Sequence, residues 1–339
     1  MTKFVHVDRD GDNLESYQQI VDKWVAGEVV AFPTETVYGL GADARNPQAV
    51  AKIYEAKGRP SDNPLIVHVG KTEQLQGFIA YIPELAQKAM DAFWPGPLTV
   101  ILPLKEGSLA PAVSAGLSTV GVRMPAHPVA HELLEFANIP IAAPSANRSG
   151  KPSPTAASHV VEDLEGRIPM IVDGGPATAG LESTIVDFTV QPPALLRPGS
   201  ITEEMLQEVI GDMQGAGRLR EEQAPKAPGM KYTHYAPDAP VYLAYLDQAM
   251  TGDKMEELRR MGKKIALVAP EKYRYLPHDE FLSLGTDASL ESISRHLFSA
   301  LRACNQVEVD LIVAAAFPAE GVGKALMNRL EKAAGGTWL

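Results

Sequence analysis

The sequence predicts a mixed α/β or α+β sheet domain followed by a smaller, all-parallel α/β domain, and three observations carry that expectation. Short apolar runs of strand length alternate with stretches whose apolar residues recur at helical spacing. Before residue 211 the two kinds of segment mix in irregular order, which argues against a clean doubly wound sheet, whereas after Pro240 they follow one another as in a parallel α/β domain. At 339 residues, 45% of them hydrophobic, the chain exceeds what one core usually serves and has apolar material for two.

Taken in order, residues 14–24 have the apolar spacing of a helix, and 28–32 form a buried strand that Pro33 ends. Asn46 and Pro47 supply an N-cap and an N1 proline, Val50, Ile53 and Tyr54 mark one helical face, and Gly58 stands where a glycine stops a helix. Lys57 therefore falls on the last turn. In the strand 65–69, Leu65, Val67 and Val69 share one face and Ile66 and His68 the other. Further strands are expected at 98–102, 120–123, 139–142, 170–173 and 183–188, with helices between them. Composition breaks after Ile210 into Gly, charged residues and Pro, which reads as a linker. Residues 230–235 of that linker, Met-Lys-Tyr-Thr-His-Tyr, are aromatic and basic where a solvated tether would be polar, so the linker is expected to dock. Beyond it, strands at 241–246, 264–269, 281–284 and 311–317 alternate with helices at 248–261, 290–305 and 323–334. The predicted domains are 10–205, a linker at 206–239, and 240–339.

With 31 Lys plus Arg against 42 Asp plus Glu, the net charge of −11 argues against a general nucleic-acid scaffold. The single cysteine, Cys304, excludes an internal disulfide and a thiolate metal cage, fits a reducing compartment, and is expected to be a buried structural thiol. Residues 1–4 carry no apolar signal core, and no apolar run approaches the ~18 to 20 residues that cross a bilayer. A cytoplasmic protein without membrane contact is expected.

Two clusters concentrate cations with small hydroxyl and amide side chains among Gly and Pro: Lys57-Gly58-Arg59-Pro60-Ser61-Asp62-Asn63-Pro64 and Pro144-Ser145-Ala146-Asn147-Arg148-Ser149-Gly150-Lys151. Such loops present donors to phosphate or carboxylate oxygens. A third segment, Thr34-Glu35-Thr36-Val37-Tyr38, offers hydroxyls and a carboxylate directly after a buried strand, where open sheets place ligands. Other patterns carry less. Residues 39–44 match GxGxxA, but Asn46-Pro47 puts the helix start too late for a dinucleotide turn. Ser61-Asp62-Asn63 matches an element of penicillin-recognising enzymes, yet no serine precedes a lysine by three residues and Thr72 is followed by Glu73. His127 and His131 stand at i and i+4 without a third ligand, and Pro128 points to a helix start, so capping and surface roles are expected and no metal site is assigned. Gly321-Val322-Gly323-Lys324 has Pro318 where a P-loop has its first glycine.

In order along the chain, Pro33-Thr34-Glu35-Thr36-Val37-Tyr38-Gly39-Leu40, the Lys-x-Arg of Lys57 and Arg59, Asn63-Pro64-Leu65-Ile66-Val67-His68, Trp94-Pro95-Gly96-Pro97-Leu98-Thr99 and the Ser-x-Asn of Ser145 and Asn147 are found. They continue through Glu182-Ser183-Thr184-Ile185-Val186-Asp187, Arg197-Pro198-Gly199 and residues 228–237. This series resembles the threonylcarbamoyl-AMP synthases with a YrdC-like catalytic domain, in their longer two-domain form. The resemblance implies a twisted open sheet with a concave, positively charged site, and a small Rossmann-like parallel C-terminal domain. It implies that L-threonine, bicarbonate or CO2, and ATP give threonylcarbamoyl-AMP and pyrophosphate, for use by a separate transferase complex on the tRNA adenosine beside the anticodon.

By the same resemblance, Thr36, His68, Arg123, Ser183 and a backbone group of Ala143 surround threonine. Lys57, Arg59, Asn63, Thr119, Ser145, Ser153, Arg197 and Tyr235 surround ATP, and Lys57, Arg59, Ser145 and Asn147 are the catalytic set. Arg123 suits a carboxylate because its planar fork binds two oxygens, and Lys57 is expected nearest the carbamate and α-phosphate. Mg2+ is expected with ATP, without a tightly bound organic cofactor. The linker end at His234 and Tyr235 is expected to fold over the site. Two rivals remain: an RNA-binding module with weak affinity, opposed by the acidic balance, and carbamoyl transfer in hydrogenase maturation, whose paired-cysteine zinc motifs are absent.

Overall fold

A computed structural model describes residues 1–215, 235–286 and 289–339. These fall into two compact units, each described by itself. The first holds Met1–Ser149, Pro154–Thr178 and, among described residues, 182–215; the second holds Gly150–Ser153, Ala179–Leu181 and the described residues from 235 onward. Residues 216–234, with most of the predicted linker and its His234, lie outside the described residues.

The first unit runs β1 (Lys3–His6), α1 (Leu14–Val25), β2 (Val30–Phe32), β3 (Gly39–Asp43), α2 (Pro47–Lys57), β4 (Ile66–His68), α3 (Glu84–Phe93), β5 (Leu98–Pro103), α4 (Pro111–Ser114), β6 (Thr119–Arg123), α5 (Pro128–Ala137), β7 (Ile141–Ala142), α6 (Ala157–Leu164), β8 (Met170–Asp173), β9 (Thr184–Asp187), β10 (Ala194–Arg197) and α7 (Glu203–Ile210). Its strands form one sheet in the order β1-β8-β2-β3-β7-β4-β6-β5-β9-β10. The sheet is mixed: β4 runs parallel to β6 and β5 to β9, while β3–β7, β4–β7, β5–β6 and β9–β10 are antiparallel.

Three features depart from the sequence expectation. The domain begins before residue 10, because β1 pairs in parallel with β8. The predicted linker loses its first residues to α7, whose Leu206 and Ile210 are buried in the main core. The stretch 39–43 is a strand although it contains no β-branched residue. It pairs with β2 and β7 at very close range: a Cβ on Gly41 would lie 2.7 Å from both the Phe32 ring and Ile141 Cγ2. The Trp24 indole donates to Gly41 O at 3.0 Å. A strand here also removes the dinucleotide reading of 39–44, which needs a helix.

Side-chain alternation divides the sheet. Val67, Val100, Val122 and Val186 join the main core, while Ile66, Ile101 and Ile185 cluster on the other face beside His68, Thr99 and Arg123. Helix α2 begins and ends as its residues require. The Asn46 side chain accepts from Gln48 N at 3.0 Å and Ala49 N at 3.1 Å, Pro47 opens the first turn, and Gly58 takes the left-handed conformation at φ 62°. Asn46→Ala should therefore cost about 1 kcal/mol, read as a lower melting temperature with unchanged secondary-structure content.

The second unit contains β11 (Val241–Ala244), α8 (Ala249–Arg260), β12 (Ile265–Ala269), β13 (Glu280–Ser283), α9 (Leu290–Ala303), β14 (Leu311–Ala315) and α10 (Val322–Ala334). All strand pairs are parallel, in the order β11-β14-β12-β13. Cys304 is buried after α9, and burial pushes its thiol up to about 12, so it is inert packing. Gly321 stands at the N-cap of α10, residues 322–324 form its first turn, and Gly323 lies against Pro318 O, so the 321–324 tetrad is not a phosphate loop. No helix among the described residues is long and apolar enough to cross a membrane.

Candidate active site

The two cation-bearing clusters meet at Lys57. Its side chain is buried on the last turn of α2, and its ammonium donates to Ser145 O and Asn147 O, both at 2.5 Å. The Ser149 amide returns a bond to Lys57 O at 2.9 Å. The same loop is tied to β3: Leu40 N donates to Pro144 O, Ala146 N to Tyr38 O, both at 2.8 Å, and Gly39 bridges Ser145. At the start of the loop, Ala143 N donates to Ile66 O at 2.9 Å, so a ligand contact from Ala143 falls to its carbonyl oxygen.

A second group forms around Arg123 at the end of β6. The guanidinium is buried and donates through Nη1 to Thr36 Oγ1 at 2.7 Å and through Nε to Gly96 O at 3.3 Å. Its Nη2 lies 2.6 Å from Glu35 Oε1, an ion pair whose side chains are 4% and 10% exposed. Strand register brings Arg123 level with His68 of β4 and Thr99 of β5. Thr99 Oγ1 is 2.7 Å from Ser183 Oγ, and Arg197 reaches the same serine, donating to its hydroxyl at 3.1 Å and its carbonyl at 3.0 Å.

The remaining first-unit residues lie toward the other end of those strands. Thr119 opens β6, and Asn63 precedes the parallel β4. About 3.3 Å of rise per residue separates Thr119 from Arg123 by roughly 13 Å. Arg59 Nη2 donates to Pro64 O at 3.2 Å, which holds the guanidinium beside that end. Thus Arg59, Asn63 and Thr119 form one set, and Thr36, His68, Arg123 and Ser183 another. Ser153 and Tyr235 belong to the second unit. There Ser153 is buried, Tyr235 packs 5.1 Å from Phe298 with φ 69°, and Arg302 of α9 donates to Pro152 O at 2.6 Å.

Buried imidazoles complete the first unit. Burial, with the Arg123 charge, depresses the His68 pKa to about 3, and its ring meets Phe32 edge-on at 6.1 Å. His127 is 2% exposed, and its ring nitrogens make no well-formed hydrogen bond among the described residues. It is neither capping nor superficial, which corrects the sequence expectation: it occupies the N-cap position of α5 without a side-chain cap bond. Burial and the Arg9 charge lower its pKa to about 4. Both rings thus bind protons less readily than in the unfolded chain, at a reference value of 6.5. As pH falls below that value the unfolded state takes up protons first, so stability should decline from about pH 6.5 toward pH 3. Urea midpoints measured across that window should fall, and His68→Gln should flatten the decline.

Comparison with known proteins identifies the family. The family model described as Telomere recombination, for Sua5, YciO and YrdC, matches residues 22–199, and that of the threonylcarbamoyl-AMP synthase C-terminal domain matches 201–335. The threonylcarbamoyl-AMP synthase of Bacillus subtilis is 51% identical over 311 residues, 91% of this chain and 90% of its own. The chain belongs to the threonylcarbamoyl-AMP synthase family. That of Pyrococcus abyssi is 48% identical over 91% of each chain. The crystal structure of P. abyssi Sua5 complexed with L-threonine superimposes with a TM-score of 0.93 at 43% identity, covering 100% of this chain and 99% of that one.

For a threonylcarbamoyl-AMP synthase family member, the sequence reading missed Glu35 as the partner of Arg123, Thr99 as the partner of Ser183, and the burial of His127. The Thr-Glu-Thr run was the one available signal for Glu35. No group of three or more His, Cys, Asp or Glu among the described residues is placed to hold a metal ion.

Proposed function

We propose that the chain is an L-threonylcarbamoyladenylate synthase, a nucleotidyltransferase that makes threonylcarbamoyl-AMP from L-threonine, CO2 or bicarbonate, and ATP. One observation carries the reading: full-length similarity to synthases of that name coincides with a buried guanidinium, Arg123, that already pairs with Glu35 and Thr36 and, at Lys57, a buried cation set in the Ser145–Asn147 loop.

In the first step the neutral threonine amine attacks the carbon of CO2; the C–N bond forms, one C=O electron pair moves to oxygen, and the nitrogen releases its proton to solvent. A carbamate oxygen then attacks the α-phosphorus of ATP, and the bond to pyrophosphate breaks. Such transfer needs positioning and charge stabilisation rather than a covalent nucleophile. Arg123 would take the threonine carboxylate through its fork, with Thr36, His68, Ser183 and the Ala143 carbonyl around the rest of the amino acid. Arg59, Asn63, Thr119, Ser145 and Arg197 would hold the nucleotide, and the resemblance also assigns Ser153 and Tyr235 to it. Lys57 would follow the charge that develops on the α-phosphate, with Arg59, Ser145 and Asn147 as its catalytic companions. Mg2+ would arrive as MgATP, since the described residues offer no carboxylate cage for it. The product would pass in the cytoplasm to a tRNA-modifying transferase complex. Direct RNA binding is the alternative class, and the net charge of −11 disfavours it.

The test is pyrophosphate release from ATP with L-threonine and bicarbonate omitted in turn. Dependence on both is expected; release that ignores L-threonine, or salt-sensitive RNA binding without release, would overturn the reading.

A further inference from the structure

The Thr34–Val37 turn fixes the direction of a hydrogen-bond chain that reaches the proposed threonine site. Thr34 Oγ1 lies 2.6 Å from Val37 O. A carbonyl has no proton, so the Thr34 hydroxyl must be the donor, and a hydroxyl has one proton to give. Thr34 Oγ1 is also 2.9 Å from Thr36 Oγ1. With the Thr34 proton committed to Val37, Thr36 must donate in that pair. The Thr36 and Val37 amides, each 3.3 Å from Thr34 Oγ1, are longer contacts that share one lone pair, which leaves the other for the Thr36 hydroxyl. Arg123 Nη1 in turn donates to Thr36 Oγ1 at 2.7 Å. The chain therefore runs one way, from Arg123 through Thr36 and Thr34 to Val37 O, within residues that are 4% exposed or less at Arg123, Thr34 and Thr36.

We infer that Thr34 is a positioning residue that makes Thr36 an acceptor-only group, so that this point of the site selects a ligand presenting an N–H or O–H. The Thr36 hydroxyl has spent its proton on Thr34 and one lone pair on Arg123; a second lone pair is what remains. An amine or hydroxyl of an amino acid satisfies it, whereas a carboxylate or ether oxygen placed there would face a lone pair. The inference rests on the proposed threonine site but assigns a function to a residue that need not touch substrate. Because burial makes unsatisfied groups costly, the selection acts through a penalty on the wrong ligand as well as attraction for the right one.

The test starts with L-threonine binding to the full chain by calorimetry, followed by steady-state pyrophosphate release for Thr34→Val, which keeps the shape and loses the acceptor, and Thr34→Ser, which keeps it. Thr34→Val should raise KM for L-threonine about tenfold, leave KM for ATP within about twofold, and retain kcat, while Thr34→Ser stays near wild type. Should the valine variant not fold, Thr34→Ala removes the same acceptor without added bulk. Unchanged KM for L-threonine in the valine or alanine variant overturns the inference, as does an equal rise in both KM values or failure of serine to rescue. If the wild-type chain itself binds no L-threonine, the functional reading fails first, and the calorimetry shows that before any variant is made.

Discussion

Arg123→Ala is expected to cost about 3–5 kcal/mol of stability and to abolish measurable L-threonine binding. The stability loss follows from Glu35: without the guanidinium, a carboxylate only 10% exposed is left as an uncompensated buried charge. The binding loss follows from the fork geometry proposed for the substrate carboxylate, which Arg123→Lys would not restore. The two effects separate in a double variant. Arg123→Ala with Glu35→Ala should recover much of the urea midpoint while L-threonine binding stays lost. Equal midpoints for the single and double variants would show that the ion pair is not what holds this part of the sheet.

Lys57→Met should lower the rate of adenylate formation by about 10²-fold or more, the scale of removing one charge-stabilising donor from a reacting centre. It should also cost on the order of 3 kcal/mol, because two carbonyls, Ser145 O and Asn147 O, lose hydrogen bonds from a charged donor at once. Pyrophosphate release and a thermal melt read the two losses independently. Near wild-type turnover with unchanged L-threonine affinity would remove Lys57 from the catalytic set, even if the melt shifted as expected.

What the sequence disclosed and what it hid divide by range. Helix α2 was legible to the residue, because Asn46, Pro47 and Gly58 act on their own backbone neighbours. The second unit was legible for a similar reason: its strands and helices alternate, and parallel neighbours follow from that alternation. In the first unit the order of ten strands rests on pairings between distant segments, and β3 in particular has the composition of a turn. Its status as a strand depends on Phe32 and Ile141 packing where a side chain would otherwise stand. The site shows the same divide. That Lys57 and Ser145 are candidates for an anion-handling site could be read from their loops, but their contact spans 88 residues and exists only in the fold. Glu35 and His127 could not be identified as buried from their types, since such residues are usually solvated unless the tertiary structure encloses them.

The glycine at position 41 has a reach beyond its own strand. Its missing side chain lets the Phe32 ring sit where it does, and that ring in turn meets His68 edge-on at 6.1 Å. A methyl group at 41 would be felt as a shove, passed through one aromatic plate to an imidazole in the proposed threonine set. The backbone of β3 thus works as a spacer gauge behind the proposed threonine set, with a clearance too small for one added carbon atom.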